Sequence, residues 1–456
     1  MNPSNEQQLV IDSTGDVLVN SCAGSGKTST LLKYCAKQKG KGIYVAYNSI
    51  IAQEVKKKIS PNTEVTTAHS LAYRYWCSVG KKPNLGFLTA KIVENYFEPS
   101  LCKSQFVNSL KHILDAYSNS RLSEEDYFKQ NAYYLHHYGG IKQLLEHMKE
   151  GKVPITHDLY LKFYSDLGIN LNRDFFVWDE VQDLGENSVN IVNSQTCPRV
   201  LVGDSMQSIY SFRKCINGFD VFDFPLLNLS TSFRNTQSVA NLASYVAGYA
   251  GFYGEPPRTI RGVGTKQNDT TCLIGHTNYF VFTNKANQPE LTVVGDYDWP
   301  TILNKLEDLV HLRDGRKNMI KNKFLLFYQD LNHFYVDCQQ KSDYEWMSLI
   351  KFSGEGMRSV HRLKDALTRP VDPNSFVSNV HKSKGLEWNK VVLDDDFLSP
   401  DKICAVNKAD YNNREELNKL YVTITRAMTK VVLPKDFIVG DFMIDLIKDK
   451  VNGKVW

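Results

Sequence analysis

The stretch Ser21-Cys22-Ala23-Gly24-Ser25-Gly26-Lys27-Thr28 restricts this chain more than any other. The apolar run Val17-Leu18-Val19 before it reads as a short buried strand. Ser29 to Lys37 after it reads as a helix, with Leu31, Leu32 and Cys35 at helical spacing. Strand, glycine-rich turn and helix start together make a phosphate cradle. Glycines let backbone N–H groups come close to an anion, and the helix start adds free donors and the positive end of its dipole. Ala23, Gly24, Ser25 and Gly26 are the candidates for the cradle, Lys27 for the β- and γ-phosphates, and Thr28 for Mg²⁺. The usual pattern opens with Gly five residues before Gly26, where this chain has Ser21. A plain Gly/Ser turn with an unrelated lysine is the competing reading, and the strand–turn–helix context disfavours it.

A length of 456 residues allows two to four domains. The net charge of +4 is small, so any nucleic-acid surface must be local. Nine scattered cysteines without a Cys-x-x-Cys pair argue for a reducing compartment, with neither a disulfide framework nor a zinc ribbon. No signal-peptide pattern opens the chain, and no apolar stretch approaches membrane-spanning length. The expectation is a soluble intracellular protein with no membrane partner.

Residues 1–77 alternate strand-like runs with helices; Ile43 to Tyr47 is the second strand and Ile50 to Ile59 the second helix. Residues 78–154 are rich in helix formers and tyrosine and read as a helical insertion. Phe175-Phe176-Val177-Trp178 and Val200-Leu201-Val202 read as buried parallel strands, each closely followed by an acid. A second α/β unit starts near Asn228 and contains the strand-like runs Cys272-Leu273-Ile274 and Lys390-Val391-Val392-Leu393. Residues 298–373 are polar and mixed, and read as a small insertion. His136-His137 and His147 read as surface residues rather than a metal cluster, since no thiol lies near them and Glu146 and Glu150 suit a solvated helix face.

Asp179-Glu180 follows the strand ending at Trp178. An acid at a strand's carboxyl end beside a phosphate loop is where such folds hold Mg²⁺, which makes Asp179 the metal partner and Glu180 the group that polarises water. Here the sequence resembles the UvrD/Rep-type superfamily 1 helicases. Asp179-Glu180-Val181-Gln182-Asp183 resembles their second motif, and Val202 through Gln207 and Tyr210 to Phe212-Arg213 their third. Asn5-Glu6-Gln7 resembles the Q motif, Ala46-Tyr47-Asn48 motif Ia, and Thr67-Ala68-His69-Ser70 motif Ib. Ser232-Phe233-Arg234-Asn235 resembles motif IV, and His276-Thr277-Asn278 a following Arg-Thr-Asn. Val380-His381-Lys382-Ser383-Lys384-Gly385-Leu386-Glu387 resembles motif V, and Glu415 through Thr425-Arg426-Ala427 motif VI. The form of motifs V and VI is similar to that of the F-box DNA helicases and their small phage or bacterial relatives.

The resemblance implies an α/β fold of two RecA-like P-loop NTPase domains. Residues 1–77 and 155–227 would form the first, interrupted by the helical insertion 78–154. Residues 228–297 and 374–456 would form the second, interrupted by 298–373. It implies ATP and Mg²⁺ as cofactors, with ATP between the domains. Lys27, Asp179, Glu180 and Gln207 would act from the first and Arg234 and Arg426 from the second, the arginines aimed at the γ-phosphate. Gln7 would bond the adenine edge, Phe233 would stack on the base, and Gly385 and Glu387 would complete the nucleotide site, Glu387 at the ribose. Ser29 stands where many relatives carry Arg, which weakens the base sandwich. For a DNA strand the resemblance singles out Tyr47, Asn48, His69, Ser70, Tyr210, Phe212, Arg213 and His381. Stacking rings suit a motor that must hold every sequence equally.

The implied function is an ATP-dependent DNA helicase that moves along single strands, 3′ to 5′, and opens duplexes in replication, recombination or repair. Its partners would be single-stranded DNA, single/double-strand junctions and single-strand-binding or recombination proteins. The expected setting is a bacterial or phage-infected cytoplasm, with a monomer as the working form. Two alternatives stand beside it: a translocase that strips proteins from single strands, and a DNA-binding switch that uses ATP only as a conformational ligand.

Overall fold

The computed structural model describes residues 2–98, 100, 104–131, 137–211, 214–254, 258–341, 343–406 and 411–437. The chain divides into two compact units, Met1–Cys22 with Gly26–Leu229, and Ala23–Ser25 with Ser230–Trp456. Each is built on a sheet of parallel strands flanked by helices. No helix among the described residues is long and apolar enough to cross a membrane.

The first unit's sheet contains β1 (Val17–Ser21), β2 (Gly42–Val45), β3 (Thr63–Thr66), β4 (Phe175–Asp179), β5 (Arg199–Gly203) and β6 (Leu226–Leu229). Their order is β3-β2-β4-β5-β1-β6, and every pairing is parallel. Side chains alternate along each strand, and here both faces are buried. Val17, Val19, Tyr44, Phe175, Val177, Val200 and Val202 pack in one core with Val10 of α1 (Asn5–Ile11), Leu31 and Tyr34 of α2 (Lys27–Lys37) and Val55 of α3 (Ser49–Lys56). Leu18, Ile43, Val45, Phe176, Trp178 and Leu201 face the opposite core, with Leu71 and Trp76 of α4 (Ala68–Ser78).

The second core continues into the segment read as a helical insertion. There α5 (Ser104–Ser118), α6 (Glu124–Gln130) and α7 (Tyr138–Lys149) supply Leu110, Phe128, Ile141 and Leu144, and α8 (His157–Asp166) supplies Leu159 and Phe163. His147 meets the Tyr96 hydroxyl at 2.6 Å; His136 lies outside the described residues.

Local chemistry moves several boundaries. Helix α2 starts at Lys27, two residues before Ser29, because Gly26 turns the chain at φ 79°. The strand expected over Ile43–Tyr47 ends at Val45, since Asn48 caps α3 by accepting from the Ile51 N–H at 2.9 Å. That cap also starts α3 at Ser49, one residue before Ile50, and the helix ends at Lys56 rather than Ile59.

The second unit's sheet contains β7 (Thr271–Gly275), β8 (Thr292–Val293), β9 (Ser375–Asn379), β10 (Trp388–Leu393) and β11 (Ala427–Val432), ordered β8-β9-β7-β10-β11 and again all parallel. Helix α9 (Gln237–Gly248) packs on α15 (Tyr411–Thr425). The stretch 298–373 is more regular than its polar composition suggests. It holds α11 (Trp299–Arg313), α12 (Leu331–Gln340), α13 (Tyr344–Ser353) and α14 (Met357–Ala366). Leu306, Leu309, Phe334, Leu349 and Leu363 from these helices share one core with Val281 and Phe282 of α10 (Asn278–Asn287) and Val377 of β9.

Candidate nucleotide site

The glycine-rich loop joins β1 to α2. Gly26 is the N-cap of α2 and makes no side-chain cap, so the first turn of the helix keeps N–H donors for an anion. Its carbonyl accepts from the Thr30 N–H at 2.9 Å and closes that turn. The left-handed backbone at Gly26 favours glycine, and a Cβ there would lie 3.0 Å from Gln7 Nε2. Gln7 is thereby brought beside the loop. In this structure it serves the capping box of α1: its Oε1 accepts from the Ser4 N–H at 3.0 Å, and the Ser4 hydroxyl accepts from the Gln7 N–H. Thr28 and Ser29 are exposed on the first turn of α2.

Strand alternation decides where the acids point. Phe175, Val177 and Asp179 share the face of β4 that looks toward α2. Asp179 is 3% exposed, with Oδ2 accepting from the Tyr44 hydroxyl at 2.6 Å and Oδ1 from the Glu180 N–H at 3.0 Å. Burial and the charge of Glu180 push its carboxyl up to about 6, against the opposing pull of Lys27 and Tyr44. Burial and the same carboxylate hold the Tyr44 phenol well above its ordinary value.

Glu180 sits in the left-handed region at φ 58°, a conformation that costs a non-glycine residue about 1–2 kcal/mol. That turn brings its carboxylate to 3.2 Å from Lys27 Nζ. Burial works against the Lys27 charge, but Glu180, Asp204 and Asp179 outweigh it and raise the ammonium above the ordinary range. A run of side chains continues from there. Gln182 Nε2 donates to Glu180 at 2.5 Å, Gln182 Oε1 accepts from the Asp204 N–H at 3.1 Å, and Gln207 Nε2 donates to Asp204 at 2.8 Å. Lys27, Asp179, Glu180 and Gln207, all singled out from the sequence, are therefore brought together in one unit.

The donor set fits Mg²⁺. Such an ion takes one or two carboxylates and fills its other positions with phosphate oxygens and water. Asp179 would hold it with Thr28, and a cation would relieve the buried negative charge that raises the Asp179 carboxyl. Sequence reasoning missed Tyr44, which read only as one residue of an apolar run, and the bridging role of Gln182.

In the second unit Arg234 Nε donates to Glu387 at 2.7 Å, so the acid expected at a ribose is ion-paired here. Lys266 lies 3.9 Å from the same carboxylate. Arg426 is 1% exposed and directly precedes β11; its Nε donates to the Val422 carbonyl at 3.1 Å and its Nη1 to the Leu386 carbonyl at 3.3 Å. The ring of Phe233 is exposed, and its N–H donates to the Gly24 carbonyl at 2.9 Å. Ala23 likewise accepts from the Ser232 hydroxyl at 2.7 Å, and Ser25 is buried. Gly385 turns at φ 89° beside Leu386 and Glu387.

Of the residues expected to meet DNA, Tyr47 and His69 line one cavity of about 500 Å³ in the first unit, with Asp158, Trp178, Asp183 and Lys214. Tyr47 is 37% exposed, and His69 Nε2 lies 3.4 Å from Asp158. Asn48 and Ser70 are exposed near helix starts: Asn48 caps α3, and the Ser70 N–H donates to the Thr67 hydroxyl that caps α4. Tyr210 and His381 are half-buried. Phe212 and Arg213 lie outside the described residues.

Two family descriptions match the chain: AAA domain over residues 7–213 and UvrD-like helicase C-terminal domain over 374–433. They take in the acids and Gln207 on one side and Gly385, Glu387 and Arg426 on the other. Among curated proteins, F-box DNA helicase 1 of Gallus gallus is 26% identical over 509 residues, covering 93% of this chain and 48% of that protein. F-box DNA helicase protein 1 of Schizosaccharomyces pombe is 23% identical, covering 94% of this chain and 57% of that protein. The chain thus spans about half the length of the curated relatives it matches. With these matches and the motif residues gathered at the first unit's phosphate loop, the chain carries an AAA domain and a UvrD-like helicase C-terminal domain and is a homologue of the F-box DNA helicases.

Proposed function

We propose that this protein is an ATP-dependent DNA helicase that moves along single-stranded DNA in the 3′ to 5′ direction and opens duplexes at single/double-strand junctions. The observation that carries the reading is the run Lys27–Glu180–Gln182–Asp204–Gln207, which ties a phosphate-binding cation to an acid and to a γ-phosphate sensor. In this reading the loop and Lys27 hold the phosphates, Asp179 and Thr28 hold Mg²⁺, and Glu180 orients the attacking water. Arg234 and Arg426 neutralise charge that develops on the transferred phosphoryl group. Two RecA-like domains would carry these residues, with 78–154 and 298–373 as insertions.

Direction is inherited from the family likeness and has its own test. Strand displacement on 3′- and 5′-tailed duplexes, with ATP turnover measured with and without single strands, should show DNA-stimulated hydrolysis and separation of the 3′-tailed duplex only. Turnover that ignores DNA would sink the motor reading. Stimulated turnover without strand separation would favour a translocase that strips proteins.

A further inference from the structure

The hydroxyl of Tyr44 is the one polar tip on an otherwise apolar β2, and it points into the core shared by Val10, Leu31 and Val177. Its ring is fully buried. A phenylalanine would fill the same space without the penalty of burying a hydroxyl, which is large unless the group is bonded. The partner is Asp179 on the neighbouring strand, where Tyr44 pairs with Val177 in register and so lies two residues short of the acid on the same face. The Tyr44 hydroxyl binds one carboxylate oxygen and the Glu180 N–H the other. Each oxygen keeps a further lone pair. The carboxylate is therefore fixed in plane and rotation while it stays able to bind a cation.

We propose that Tyr44 is a positioning residue for Mg²⁺·nucleotide binding, acting by holding the Asp179 carboxylate in its ligating orientation. This rests on the reading of Asp179 as the metal-holding acid. Groups that orient metal ligands from behind lose about 10–100-fold in metal affinity or activity when removed. Nothing in the sequence marks Tyr44 for such work; the 2.6 Å contact does.

The test is binding of a fluorescent ADP to the full chain during a Mg²⁺ titration, with a parallel measurement in EDTA. Tyr44→Phe should raise the Mg²⁺ concentration at half-maximal effect by about 10-fold or more, and leave affinity in EDTA unchanged. In an Asp179→Asn background the same substitution should add no further shift, because the hydroxyl acts only through that carboxylate. An unmoved Mg²⁺ midpoint in Tyr44→Phe, beside a moved one in Asp179→Asn, overturns the role of Tyr44 and leaves the nucleotide site standing. An unmoved midpoint in Asp179→Asn overturns both. Equal losses with Mg²⁺ and in EDTA would make Tyr44 a packing residue and reject the proposal. If Tyr44→Phe does not fold, a fluorinated tyrosine placed at position 44 carries the test, since it changes the hydroxyl's acidity and keeps the ring. An unmoved midpoint there rejects the proposal equally.

Discussion

At the end of β4 in the first unit, charges are held by opposite charges. Lys27 faces Glu180, Asp179 and Asp204, and each acid is tied into a hydrogen-bonded run. Just before β11 in the second unit, Arg426 is held by the carbonyls of Val422 and Leu386. Carbonyl dipoles orient a guanidinium through its N–H groups, whereas a carboxylate also offsets its charge. A guanidinium fixed in place beforehand can stabilise developing charge without reorganising first. Arg234, paired with Glu387, follows the manner of the first unit. The contrast implies that the two units should fail differently when a charge is removed.

The largest effect is expected at Arg426. If it is an arginine finger, Arg426→Ala should slow ATP hydrolysis by roughly 10³–10⁵-fold, with a much smaller loss of ATP affinity. The Leu386 carbonyl would also lose its Arg426 donor, at about 1–3 kcal/mol if left unpaired, whereas the Val422 carbonyl keeps the Thr425 hydroxyl at 3.0 Å. Steady-state kinetics and a denaturant melt separate the two; a defect confined to KM would break the contrast.

Glu180→Gln should keep ATP binding and lower kcat by about 10²–10⁴-fold, the span typical of a lost general base. Lys27→Ala should instead remove both binding and turnover, since the phosphates lose their cation. Turnover like that of the parent in either variant would dismiss the assignment of these groups.

Tyr47 offers a smaller test, at the strand rather than the nucleotide. Tyr47→Ala should weaken single-strand binding by about 1–3 kcal/mol, similarly on every mixed sequence, as expected for a lost stacking ring. Basal turnover without DNA should persist. Anisotropy with a labelled strand would show it, and unchanged affinity would return Tyr47 to the role of a surface ring.

The smallest effect is a pH dependence confined to the first unit. The Asp179 carboxyl titrates near 6 in the fold, against 3.8 for an ordinary aspartate. Between about pH 4 and 6 the folded chain holds a proton that the unfolded chain has released, so this group's contribution to stability falls as pH rises through that window. In nucleotide-free protein, Asp179→Asn should leave Tm unchanged near the lower limit and raise it above the upper one. A gain equal at both ends would show that burial of charge is not its cause.

Much of the first unit was legible because apolar runs and acids mark its strand ends directly. Phe175 to Trp178 announces β4, and Asp179 follows at once. Other strands were not legible. β3 reads Thr-Glu-Val-Thr, a half-buried edge with no apolar run, and β8 is only Thr292-Val293. The helices of 298–373 were hidden for a different reason: their polar faces dominate the composition, while Leu306, Phe334 and Leu363 meet only after folding. Motif spacing pointed to Lys27, Glu180 and Gln207, which the structure brings together. It could not show that Tyr44 reaches Asp179, because that contact crosses 135 residues of chain.

Strand order also sets when the phosphate loop can exist during synthesis. β1 is made before the other strands of its sheet, yet its neighbours there are β5 and β6, the last two of that sheet. The loop after Ser21 therefore has no finished wall until Leu229 has left the ribosome, about 200 residues later. At roughly 5–20 residues per second that is a wait of about 10–40 s. Throughout it, Val17 to Val19 is an apolar strand with both edges open, the kind of segment that pairs with the wrong chain. The strand that carries the glycine-rich loop is thus the one in its sheet that waits longest for its neighbours.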